Sequence, residues 1–161
     1  QGAVGYPNLT DDIWHWGGSA DQILDTVLNG RQAAMPGWEN VLGGPQGVTE
    51  VAVYLQSIRG EKVDSSLAGV GKNKYDMICV SCHGPEGKGM QALGAPDLTD
   101  GYWLYGDDAL AVKTSIGKGR NGMMPAHTPI IGETRVRLAA AYVWSLSHTQ
   151  TAKAEGAKAT Q

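Results

Sequence analysis

The 161-residue chain contains no phenylalanine, two cysteines and only 7% aromatic residues. So few large rings leave little material for a dense core at this length. Long apolar runs are also missing, and none approaches the ~18 residues that a membrane-spanning helix needs. Charge is sparse: 18% of residues are ionic and the net is −3, which excludes the basic surface of a nucleic-acid binder. What charge there is divides unevenly. Residues 1–60 hold six acids and two bases, whereas 61–161 hold ten acids and eleven bases. Glycine is plentiful, at 23 residues, which implies short helices joined by long loops. A buried prosthetic group would supply the missing apolar mass.

Both cysteines fall in one motif, Cys79-Val80-Ser81-Cys82-His83. Positions i, i+3 and i+4 project from one face of a helical turn. Two thiols can therefore bond the two vinyl groups of one porphyrin while His83 reaches its iron, the attachment pattern of c-type haem. The rival readings fit less well. A thioredoxin-like pair would follow a strand in a βαβ pattern, which is not visible. A zinc site needs a further ligand at finger-like spacing, which neither His127 nor His148 offers. A simple disulfide would not need His83.

The chain also repeats itself. Tyr6-Pro7-Asn8-Leu9-Thr10-Asp11 through Gly17 returns as Ala95-Pro96-Asp97-Leu98-Thr99-Asp100 through Gly106, an offset of 89 residues. Gly30-Arg31 matches Gly119-Arg120 and Met35-Pro36 matches Met124-Pro125; the register then slips by one, so that Tyr54 matches Tyr142. The boundaries that follow are 1–60 for the later part of a first module, 61–69 for a linker, 70–148 for a complete module and 149–161 for a polar, flexible tail. The first module has no cysteine, so its attachment motif would lie upstream of residue 1, and the chain reads as truncated at its N-terminus.

Local signals predict helices throughout. Ser19-Ala20-Asp21-Gln22 is a capping box opening a helix to Asn29, closed by Gly30. Further helices are expected over 49–59, 70–83, 109–116 (capped by Asp108) and 135–148. The stretch 33–47, rich in Gly and Pro, reads as loop.

Cys79 and Cys82 are thus the attachment residues and His83 the proximal iron ligand. Of five methionines, Met124 is the expected sixth ligand, because it alone of the Met123-Met124 pair has a repeat partner. Met77 and Met90 read as packing residues, as do Tyr142 and Trp144, and His127 as a surface residue. Arg120 is placed at a haem propionate, a bidentate match. Met35, with Arg31 beside it, would serve a second haem only if an upstream Cys-x-x-Cys-His exists. The repeated aromatics Trp14/Trp103 and Trp16/Tyr105 read as filler around the prosthetic group.

These blocks resemble a known family. Residues 7–18, Asn29-Gly30-Arg31 and Ala34-Met35-Pro36-Gly37-Trp38 are similar to the first cytochrome domain of the diheme subunit III of cbb3-type cytochrome c oxidases. The Cys79–Pro85 motif, Ala95–Asp100, Trp103–Gly106 and Met124-Pro125-Ala126-His127 resemble its second domain. The resemblance implies an all-α fold of tandem class-I cytochrome c domains, the first incomplete at its N-terminus. It implies oxidase core subunits and small soluble c-type cytochromes as partners, while the single attachment motif gives one haem c on this chain. It places the chain on the periplasmic side of the bacterial cytoplasmic membrane, held there by a missing N-terminal anchor or by partner subunits. No catalysis is expected from this chain alone. A free soluble carrier would share the chemistry but lack the anchor, whereas a peroxidase-like enzyme would need an open sixth position. The acidic first module could instead serve as a docking surface for a basic partner.

Overall fold

The computed structural model describes residues 2–158, with side chains described as far as His148. The chain is mostly helical, with one small antiparallel sheet. In order it forms α1 (Ala20–Asn29), β1 (Arg31–Pro36), α2 (Pro45–Ile58), α3 (Ser65–Ile78), α4 (Val80–His83) and α5 (Ala109–Lys118). Then come β2 (Gly119–Met124), α6 (Thr128–Ile131) and α7 (Glu133–Lys158), and a single 3₁₀ turn lies at Gln91–Leu93.

The helices begin where their caps dictate. The Ser19 hydroxyl accepts from the Gln22 N–H, and the Gln22 side chain returns the bond to the Ser19 N–H. Asp108 accepts from the N–H groups of Leu110 and Ala111. Asp64 does the same for Ser66 and Leu67, so α3 opens five residues earlier than its apolar stripe suggests, inside the expected linker. Pro45 at its first turn starts α2 early in the same way. The expected loop 33–47 begins inside β1, which pairs with β2. α7 runs on as helix to Lys158. The tail's side chains, and residues 159–161, lie outside the described residues.

Two compact units result. One comprises residues 1–32 and 123–161, the other residues 33–122. In the first, α1 packs on α7 around Ile23, Val27, Val136 and Ala140. In the second, α2 packs on α3 and α5, with Val51, Leu55, Tyr75, Val112 and Ile116 among its core. Burying each such aliphatic side chain stabilises by roughly 1.5–3 kcal/mol. α2 and α3 approach closely at Gly71, where a Cβ would lie 2.0 Å from the Glu50 carbonyl oxygen. The Tyr54 and Tyr75 rings meet across the same contact at 5.1 Å. The units therefore do not follow the sequence repeats: α2 belongs to the first repeat, and α3 and α5 to the second.

Tyr142 and Trp144, expected to pack, are exposed at 65% and 39%. The buried stripe of α7 is Val136, Ala140 and Ser147. Tyr142 lies off that stripe, and Trp144 stacks on His148 at 4.2 Å instead. Met77 (74% exposed) and Met90 (42%) are likewise not packing residues. Met77 follows Tyr75 by two positions on α3, which turns it to the opposite side of the helix.

Candidate haem site

The site lies in the unit of residues 33–122. α3 ends at Cys79, which also starts α4. The Cys82 and His83 N–H groups donate to the Cys79 carbonyl at 3.2 and 3.0 Å. Cys79, Cys82 and His83 thus share one turn. Gly84 ends it at φ 74, and the buried Tyr75 hydroxyl donates to the Gly84 carbonyl at 2.6 Å. Both cysteines are free thiols, Cys79 half-buried and Cys82 exposed. Burial, then the neighbouring Cys82, pushes the Cys79 thiol up to about 11.

His83 is only 7% exposed. Its Nδ1 lies 3.0 Å from the Pro96 carbonyl oxygen. That oxygen can only accept, so Nδ1 carries the proton and Nε2 keeps its lone pair, the tautomer that binds a metal through Nε2. Burial lowers the His83 pKa, and the Pro96 carbonyl opposes that shift. A turn holds Pro96 in place. Asp97 Oδ1 accepts from the Thr99 N–H at 2.7 Å and the Thr99 hydroxyl at 2.6 Å, and the Leu98 N–H donates to the Gly87 carbonyl at 2.6 Å.

The two repeated arginines are held alike. Arg120 donates from Nε to the Ser115 hydroxyl at 2.9 Å and lies 4.4 Å over the Tyr105 ring. Arg31 donates to the Thr26 hydroxyl at 2.9 Å, lies 5.2 Å over Trp16 and pairs with Asp25 at 2.6 Å. Trp16 and Tyr105, read as filler, are stacking platforms for these guanidinium groups.

Of the methionines, Met123 is 76% exposed, whereas Met124 packs against the core of the first unit. Met35 is half-buried on β1. His83, Arg120 and Met35 fall in one unit, Met124 and Arg31 in the other. His127, expected at the surface, is half-buried with Nδ1 enclosed and unpartnered. Its N–H bond to the Val27 carbonyl draws it in.

Residues 67–143 match the protein family described as cytochrome c oxidase, cbb3-type, subunit III. The chain is similar to this family over 77 of its 161 residues. It is 40% identical over 154 residues to the cbb3-type cytochrome c oxidase subunit CcoP of Rubrivivax gelatinosus, covering 96% of this chain and 50% of that protein. Subunit FixP of Bradyrhizobium diazoefficiens is 40% identical over 156 residues, covering 90% and 53%. CcoP of Cereibacter sphaeroides is 37% identical with the same coverage. The chain spans about half the length of these curated relatives.

Similarity to the subunit III family points to a covalently bound haem c, and the residues present fit one. Beyond the thiols and the free His83 Nε2, two enclosed donors face no acceptor: Trp103 Nε1 and Arg59 Nε. They lie together, the Arg59 guanidinium 4.8 Å from the Trp103 ring centre. Trp103 and Cys79 both pack against the core of this unit. Buried donors without partners are costly, and an anionic acceptor such as a propionate would satisfy them. Arg59 escaped the sequence reading, since it has no place in the repeat; its one signal is that it closes α2 just before the attachment helix. Among the described residues no cluster of three or more His, Cys, Asp or Glu side chains could hold a metal directly. Nor is any described helix long and apolar enough to cross a membrane.

Proposed function

We propose that this chain is an electron-transfer cytochrome of the cbb3-type subunit III class, built from tandem class-I cytochrome repeats. Haem c, when bound, supplies a one-electron iron couple. Cys79 and Cys82 anchor it by thioethers, and His83 ligates the iron through Nε2. A methionine from the repeated Arg-x-x-x-Met-Pro segment closes the sixth position and raises the potential. Chain order alone points to Met124, with Arg120 at a propionate, although Met124 falls outside the unit that holds His83. Met35 and Arg31 would serve a second haem where a second Cys-x-x-Cys-His is supplied. Electrons pass from small soluble c-type cytochromes towards oxidase core subunits on the periplasmic side of the cytoplasmic membrane, and membrane association runs through an N-terminal anchor or through those subunits.

The observation that carries this reading is His83: buried, its Nδ1 fixed by Pro96, and one turn from two free thiols. The test is the visible spectrum. Reduced protein should show the sharp α and β bands of low-spin haem, unchanged by carbon monoxide because both axial positions are filled. A shift with carbon monoxide under mild conditions would instead indicate an open, peroxidase-like iron.

A further inference from the structure

The repeats exchange their Met-Pro segments. The Trp38 N–H donates to the Ile116 carbonyl at 2.9 Å, and the His127 N–H to the Val27 carbonyl at 3.1 Å. Trp38 and His127 are counterparts at the 89-residue offset, and so are Val27 and Ile116. Each segment therefore docks on the helix of the other repeat. The glycines that close those helices repeat the pattern. A Cβ on Gly119 (φ 79) would lie 2.2 Å from the Met35 carbonyl oxygen, and one on Gly30 (φ 71) 2.3 Å from that of Met124. The arginines do not exchange: Arg120 stays on Ser115 and Tyr105, and Arg31 on Thr26 and Trp16. The crossover lies between each arginine and its methionine.

We propose that the haem on Cys79, Cys82 and His83 takes its sixth ligand from Met35 of the first repeat. α2 then seats the attachment helix in place of α7. Met35 and Arg120 line one open groove of about 470 Å³, together with Pro36, Gly37, Lys118 and Gly119. The α2–α3 pairing closes over the short connection 59–64, whereas pairing α3 with α7 must close a far longer stretch and costs more chain entropy. Because both Met-Pro segments carry the same docking groups, connection length can decide between them.

This proposal rests on the haem reading above and is tested on the 161-residue chain with its haem attached. Met35→Leu should abolish the far-red sulfur-to-iron charge-transfer band of the oxidised protein, and Met124→Leu should leave it intact. Loss of the band in Met124→Leu, with or without loss in Met35→Leu, overturns the assignment, as does its survival in both. A second measurement needs no substitution. With methionine methyl groups isotope-labelled, the reduced protein should show one methyl shifted strongly by the haem ring. Its contacts should lead to Ala34; contacts to Met123 would overturn the proposal. Absence of attached haem from the unmutated chain would sink the underlying reading as well, which distinguishes the two failures.

Discussion

The Pro96 carbonyl sets which nitrogen of His83 keeps its lone pair, and the turn at Asp97 keeps that carbonyl in place. Burial pushes the Asp97 carboxyl up, but hydrogen bonds from Thr99 and the Lys88 ammonium outweigh it, and the net pKa is lowered. A depressed carboxylate contributes stability that is complete above its ordinary value of 3.8 and is lost as pH falls through the folded value. Asp97→Ala should therefore cost about 1–2 kcal/mol at neutral pH, with Asp97→Asn costing less because it keeps Oδ1. Urea unfolding measures this, and the deficit of the alanine variant should shrink at about pH 3. At this scale the sequence was informative. The spacing of Cys79, Cys82 and His83 predicts that they share one turn, which they do, and the structure adds the partner of Nδ1. The Arg59–Trp103 pair was not legible, since nothing in spacing alone brings residues so far apart to one place.

Among the elements, the helices with local caps were readable: Ser19 with Gln22, Asp108 and the closing Gly30 act within a few residues of themselves. β1 and β2 were not. β1 carries Ala, Met and Pro and β2 carries Gly, Asn and Met, none of them strong strand formers, and each is extended because the other pairs with it. The α2–α3 contact offers a sharp test of packing. At Gly71 a Cβ meets the backbone of α2, whereas at Gly69, two residues away on the same helix, nothing lies within 4 Å. Gly71→Ala should destabilise by about 2–3 kcal/mol through overpacking. Gly69→Ala should stabilise by about 0.5–1 kcal/mol, the ordinary helix-propensity gain. Thermal melts of the two variants should move in opposite directions, and melts moving the same way would contradict the described contact.

For the whole molecule, the sequence showed two copies of a module but not how their parts combine. A repeat makes its docking groups interchangeable, so the 89-residue offset that reveals the modules also hides which half joins which. Connection length and non-local packing decide that, and neither leaves a local mark. The central claim is nevertheless independent of the exchange: one attachment motif, one buried proximal histidine, one covalent haem. Mass spectrometry of the intact, denatured 161-residue chain, followed by its proteolytic peptides, tests it most directly. The account predicts a single haem increment that survives denaturation and maps to the peptide containing Cys79 and Cys82. No increment, or two haems on this one chain, would contradict it.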